Sequence, residues 1–358
     1  MKNNTFVLSF LFLATTTLVS CSDNAAEETN ANAPLYKQVL TDASVGVITE
    51  TYKDMNDNAA ILVTAVSNLT IGDEAELTIV KNAWMATREP WEKSEGFLYG
   101  PVDTEGIDPA IDSWPVNVND INNILNSGNA ITSNLLENNN EARGFHTIVY
   151  FVWGIDGNKT AAELTVREIE FLVAATQNLK SKTQQLYNGW VSSQGNFANN
   201  FITAGQSGNL FYTSQKTALL ELVDGIITIA DEVANGKIET PLNGNAGSAM
   251  PAAEESRFSN NSKLDFANNI RSIQNIYLGD YNGADGKGLT DVVALSNVTL
   301  DTNIKAKITA AIAAIEDIPG TFTTAISNNR AAVQNAQVKV SELQLLLDSS
   351  LKPLISSL

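Results

Sequence analysis

Apolar residues recur at spacings of three, four and seven through most of this chain, and a chain patterned in that way has to bury helix faces against one another. Val39, Leu40, Ala43, Val47, Ile48, Tyr52, Met55, Ala59, Leu62, Val66 and Leu69 form the first such stripe, the signature of an amphipathic helix, with a break expected near Asp57-Asn58. Comparable stripes run over 164–190, 215–234, 264–277, 302–315 and 321–347. Few alternating strand patterns compete with them. Asp73 ahead of Glu74-Ala75-Glu76 reads as a helix N-cap, Gly236 after Ala234-Asn235 as a stop, and Pro319-Gly320 as the separator of the last two helices. An all-α, bundle-like architecture is therefore predicted. A boundary between Trp190 and Asn209 divides it into an N-terminal bundle over 35–200 and a C-terminal bundle over 201–358, with a surface loop at Asn243–Gly247.

Residues 1–34 follow other rules. After Lys2, Phe6 to Val19 form an apolar run of about 14 residues, short of the ~20 that cross a bilayer as a helix. The run reads as the core of a signal peptide over 1–20. Leu18-Val19-Ser20-Cys21 has the form of a lipobox, and Cys21 is the only cysteine of the chain, so its thiol is the expected site of lipidation and no disulfide is available. Two or three acyl chains anchor a protein stably, at about 0.8 kcal/mol per buried methylene. Residues 21–34 are small and polar and read as a lipidated, disordered tether. Ser22 beside the anchor resembles outer-membrane sorting, and Ala26-Glu27-Glu28 resembles the acidic surface-export signals of Bacteroidetes lipoproteins, although a plain solvated linker reads equally well. An outer membrane lipoprotein on the periplasmic or cell-surface side is the expectation.

Removing residues 1–20, which contain Lys2 and no acid, takes the formal charge from -18 to -19. Acidity spread along the chain disfavours nucleic acid and anionic surfaces as partners and allows cationic or metal-bearing ones.

Three segments carry more than packing requires. The first runs from Trp84 through Arg88, Glu89, Pro90, Trp91, Glu92, Glu95, Phe97, Tyr99, Gly100, Pro101, Val102 and Asp103, and ends at Ile111-Asp112-Ser113-Trp114-Pro115. The second, Gly144 to Gly154, holds His146, the only histidine, inside an apolar run. The third contains Ser256-Arg257-Phe258-Ser259, Asp265-Phe266, Asn268-Asn269, Arg271-Ser272 and Tyr277. Together they resemble the imelysin family of bacterial envelope proteins, over about 35–358. The resemblance rests on Ala-Trp, Arg-Glu-Pro-aromatic, aromatic-Gly-Pro-Val-Asp and Trp-Pro in order. It also rests on Gly144, His146, Trp153 and Gly154 of a Gly-x-His-x-x-Glu signature, and on the stretch from Ser256 to Gly279. It implies two helical bundles with the conserved residues in a cleft between them, and an association with iron acquisition; a peptidase label also attaches to the family. An aromatic and a glycine follow a helix both at Tyr99-Gly100 and in the 280–288 loop, a hint of an internal duplication.

Where the signature has glutamate, this chain has Val149. His146 and Val149 share a helix face, so one carboxylate is missing from the site that the resemblance implies, and Glu141 is turned away from that face. Metal binding through His146 is accordingly expected to be weak or lost, with a packed, satisfied histidine as the alternative.

A zinc peptidase needs a second histidine and a cysteine peptidase a free thiol, and neither is present. A triad of Ser259, His146 and Asp265 lacks a nucleophile elbow; Ser259 reads better as an N-cap and Asp265 as a first-turn acid. Arg88, Glu92 and Glu95 form either a charged patch or a solvated helix face. Trp84, Trp91, Tyr99 and Trp114 form either a cleft wall or core. The 280–288 loop lacks EF-hand spacing and reads as a glycine-rich turn. Asp103, Ser259, Asp265 and Arg271 complete the ligand-binding candidates. The function expected is a lipid-anchored, non-enzymatic envelope binding protein linked to uptake of iron or an iron-bearing ligand, with an envelope transport partner. A surface module for glycan or protein and a degenerate hydrolase are the alternatives.

Overall fold

A computed structural model describes residues 31–358, so the predicted signal segment and Cys21 lie outside the described residues. Ten helices position the site. They are α1 (Ala33–Thr41), α2 (Glu50–Asn68), α3 (Glu74–Glu92), α4 (Gly144–Trp153), α5 (Val166–Trp190), α6 (Ala198–Ile202), α7 (Gln215–Asp231), α8 (Ser262–Leu278), α9 (Val298–Glu316) and α10 (Arg330–Leu346). The sheet among the described residues is one hairpin pairing Asp280–Tyr281 with Ala284–Asp285, within the loop read as a glycine-rich turn. No helix among the described residues is long and apolar enough to cross a membrane.

Local chemistry sets the helix ends. Asp73 accepts from the backbone N–H groups of Ala75 and Glu76, both at 2.9 Å, which satisfies two of the orphan donors at the start of α3. The helix starts at Ala33, with Pro34 in its first turn, so ordered backbone reaches two residues into the predicted tether. The predicted break at Asp57-Asn58 does not occur. Asp57 lies on the solvated side of a continuous α2, paired with Lys53 at 2.7 Å, and the irregularity falls earlier, in π-helical turns over Asp42–Thr49. The 321–347 stripe is two helices, Phe322–Asn328 and α10, divided at Asn329.

α2, α3, α4 and α5 pack as one group, and α7, α8, α9 and α10 as a second. One continuous apolar core runs through both, including Tyr52, Trp84, Trp91, Phe97, Trp190 and Tyr277. Each such side chain contributes on the order of 1.5–3 kcal/mol when fully buried. The division is not simply by chain order, since α1 packs on α6 and α7 of the second half. The groups meet where α3 lies on α8 and where the turn Glu95–Phe97 lies on α7. At that crossing a Cβ on Gly225 would stand 2.2 Å from the Gly96 carbonyl oxygen, so glycine lets the two backbones touch.

Candidate metal centre

Trp84, Arg88 and Glu92 stand four residues apart on α3, and that face is turned into the seam. The Arg88 side chain is wholly buried. Its Nη2 lies 2.5 Å from Glu92 Oε1 and 2.7 Å from Glu255 Oε1, its Nη1 pairs with Asp112, and its Nε is 3.8 Å from Asp265 Oδ2. The guanidinium also sits 5.1 Å from the centre of the Phe145 ring. Arg88, Glu92 and Glu95 are therefore not a solvated face. Spacing at i and i+4 is the same for a buried pair as for an exposed one, and here α8 covers it.

His146 enters from the first turn of α4. Gly144 opens that helix at φ +78, and a Cβ there would lie 2.3 Å from the Ile111 carbonyl oxygen, so only glycine lets α4 start directly against the segment that carries Asp112. Replacing Gly144 with alanine should cost on the order of 2–4 kcal/mol through the clash and the left-handed backbone, read as a shift in the urea midpoint with little change in slope. With this contact in place, His146 Nε2 is 3.0 Å from Asp112 Oδ1 and 3.7 Å from Glu255 Oε1. The three groups can offer one donor atom each, all within 4.8 Å of one another. Trp91 Nε1 donates to the other Asp112 oxygen at 2.6 Å. The His146 Nδ1 is buried without a hydrogen-bond partner, and the ring is oriented by Trp114, whose centre lies 5.0 Å away.

These contacts bear on the premise of the expectation drawn from Val149, that the imidazole has lost its carboxylate partner. Val149 is buried, but carboxylates reach the imidazole from two other segments, so the position that lost its glutamate does not leave His146 without oxygen donors.

On the far side, Lys237 Nζ is 3.0 Å from Glu255 Oε2 and 3.6 Å from Glu95 Oε2, and Asn269 Nδ2 donates to Glu92 Oε2 at 2.7 Å. Lys237 lies in the π-helical turns Glu232–Ile238 that continue α7, and the wider turn shifts which side chains face inward. Five carboxyl groups, Glu92, Glu95, Asp112, Glu255 and Asp265, thus meet Arg88, Lys237 and one imidazole. Burial pushes Glu92 and Glu95 well above the ordinary carboxylate range, which Arg88 and Lys237 respectively offset only in part. Burial likewise raises Asp265, against Arg88. Burial works the same way on Asp112 and Glu255, but there the neighbouring cations win. Arg88 and then His146 hold Asp112 below its usual value, and Lys237, His146 and Arg88 hold Glu255 well below. Burial lowers the imidazole pKa, yet the hydrogen bond and charge of Asp112, joined by Glu255, lift it above 6.5. Even with His146 protonated, carboxyls outnumber cations by two, a shortfall that protons or a bound cation must fill.

Of the residues singled out by sequence, Arg88, Glu92, Glu95, His146, Trp114 and Asp265 come together here. Trp84 is core, donating to the Phe145 carbonyl at 3.1 Å. Tyr99 packs on Trp190 and Phe201, away from the centre. Asp103 is exposed, and Arg271 pairs with Glu316 at the surface. Ser259 is not the N-cap of α8, a position held by Asn261; its hydroxyl donates to the Ser256 carbonyl at 3.3 Å. Asp265 does lie in the first turn of α8, but it faces Arg88 and Asn261 while His146 faces Asp112 and Glu255, so these three residues do not align as a triad. Sequence reasoning missed Asp112, Lys237, Glu255 and Asn269 as members of the site. Asp112 and Asn269 stand inside the segments already singled out, and Glu255 directly precedes Ser256-Arg257; Lys237 carries no such signal.

Comparison with known proteins gives the chain as a whole several relatives. A family model described as imelysin, under a peptidase label, matches residues 48–347. Iron-regulated protein A of Synechococcus elongatus is 26% identical over 286 residues, 78% of this chain and 76% of that protein. A crystal structure described as an iron-regulated protein A precursor, from Parabacteroides distasonis, superposes with a TM-score of 0.77 at 27% identity, covering 90% of this chain and 95% of the other. An imelysin-like protein from Psychrobacter arcticum shares the fold, with a TM-score of 0.70 at 15% identity over 90% and 96% of the two chains.

Proposed function

The chain belongs to the imelysin family, and on that premise we propose that it is a lipid-anchored, non-enzymatic protein of the bacterial envelope that binds iron at the seam, as part of the uptake of iron or an iron-bearing ligand. The observation that carries this reading is the convergence of His146 Nε2 with one oxygen each of Asp112 and Glu255, in a cluster richer in carboxyls than in cations. One imidazole nitrogen and carboxylate oxygens suit iron(II) and neighbouring divalent metals, and the cation would fill the charge shortfall. The names of the relatives, iron-regulated protein A, support the choice of iron. Here iron is bound cargo and takes part in no reaction step. Glu255, whose side chain is 16% exposed, is the edge of the cluster nearest solvent and the natural point of entry.

The other readings draw less support. A glycan module would stack sugars on aromatic faces, but Trp84 and Trp91 are buried in the core. A hydrolase would need His146 aligned with a nucleophile, and its Nε2 faces two carboxylates instead.

Binding must displace the proton on His146. Because that proton is held above the ordinary imidazole range, affinity should be low near about pH 6, rise as pH climbs through the lifted pKa, and be accompanied by release of roughly one proton. Anaerobic calorimetry with iron(II) in two buffers of different ionisation enthalpy measures both quantities. An affinity independent of pH from about 6 to about 8.5, with no proton released, would contradict ligation by His146.

The anchor has its own test. Exchanging Cys21 for alanine should release the protein from the membrane fraction and abolish labelling with a fatty-acid analogue. Labelling that persists in the variant would rule the assignment out.

A further inference from the structure

We infer that the loop between α6 and α7 is a membrane-contact element, in which Leu210 and Phe211 dip into the lipid surface to which the chain is anchored. This rests on the reading of Cys21 as a lipidated cysteine. Leu210 is 94% exposed and Phe211 52%, adjacent apolar side chains at the tip of one loop. The loop is braced. Asn209 Oδ1 accepts from the backbone N–H groups of Phe211 and Tyr212, both at 2.9 Å, while its Nδ2 donates to the Asn200 carbonyl at 2.7 Å. Phe211 lies edge-on to Phe197, with ring centres 4.9 Å apart. Two adjacent apolar side chains held out in this way form a small apolar tip able to enter an apolar phase.

Two observations point to a bilayer as the phase it enters. The first is position. The described chain enters at α1, which packs on α6, and Gln215 Nε2, at the base of the loop, donates to the Ala33 carbonyl at 3.0 Å. The twelve residues from Cys21 to Asn32 span at most about 42 Å even when fully extended, so on an anchored chain this end of the molecule stays within that reach of the lipid. The second is charge. From Thr183 to Gln215 there is no Asp, Glu, Lys, Arg or His, in a chain that has 40 acidic and 22 basic residues. Glu105 beside Gln185 and Glu221 near Tyr212 border this stretch, but the tip over 209–214 has no charged residue of its own, so it can approach anionic lipid with less of the repulsion that the rest of an acidic chain meets. Amphipathic elements that lie on a bilayer commonly do so with Leu and Phe side chains.

The test uses the full lipid-bearing chain in vesicles of phosphatidylethanolamine and phosphatidylglycerol. An environment-sensitive fluorophore is placed at Leu210→Cys, with Val166→Cys as the control. Val166 is also exposed, but it lies at the other end of α5, about 36 Å from the Trp190 end that packs edge-on against Phe197. The label at 210 should shift to the blue and be quenched several-fold more than the label at 166 by a lipid-borne quencher. Equal quenching at both positions, on protein that floats with the vesicles, overturns the proposal. Failure of the anchor reads out separately, as a missing acyl mass on Cys21 and no flotation. In that event the same two labels on the Cys21→Ser chain added to vesicles decide the matter: a shift confined to 210 upholds the contact, and its absence overturns it.

Discussion

Arg88→Met should destabilise the protein by about 3–5 kcal/mol, the usual cost of removing one partner from a buried ionic cluster, although methionine nearly preserves the volume. The loss does not come from a single pair. Arg88 faces Glu92, Asp112, Glu255 and Asp265 at once, and without it those carboxyls must take up protons to stay buried. Their folded-state pKa values then rise above the unfolded ones, so the folded variant binds more protons than the unfolded chain. Its stability is therefore highest at low pH and is lost as pH climbs through the raised values. Urea titrations of wild type and variant should show a gap that narrows towards about pH 5 and widens towards about pH 8. A gap below about 1 kcal/mol at neutral pH would mean that the carboxyls find compensation elsewhere.

The second large effect concerns the cation. Asp112→Asn should weaken iron(II) binding about a hundredfold or more, because it replaces the anionic carboxylate nearest His146 Nε2 with a neutral, weakly donating amide of the same shape. Glu255→Gln should act in the same direction. Asp103→Asn, at an exposed carboxylate, should leave affinity unchanged and serves as the control for bulk charge. Calorimetry and metal analysis after gel filtration give the same readout for all three. Retained affinity in Asp112→Asn, with wild-type stoichiometry, would move the site away from this triad.

The helical fold was legible because burial on one helix face writes a period of 3.6 into sequence, and the stripes at 164–190 and 264–277 correspond closely to α5 and α8. Its interruptions were less so. Asp57-Asn58 looks like a break, but a polar pair on the outer face of a long helix interrupts nothing; π-helical turns such as Asp42–Thr49 leave an apolar pattern that reads as ordinary helix. The centre was half legible. Arg88, Glu92, Glu95, His146 and Asp265 drew attention because each sits among aromatics or in an apolar run. Sequence spacing, however, does not say which charged face another helix will cover, and Arg88 and Glu92 read equally well as a solvated pair. Asp112, Lys237 and Glu255 are ordinary charged residues within their own segments and acquire a role only when elements far apart in sequence meet. Judging the imidazole from Val149 alone therefore missed the two carboxylates that tertiary structure supplies.

The most direct measurement is crystallography of the iron(II)-loaded protein, grown without oxygen above the lifted imidazole pKa, with anomalous data on both sides of the iron absorption edge. One strong iron peak is expected at the seam, about 2.0–2.3 Å from His146 Nε2 and from at least one oxygen each of Asp112 and Glu255, with Arg88 displaced from their shared oxygens. Loaded crystals with no anomalous peak at His146, or with iron held only by surface carboxylates, would contradict it.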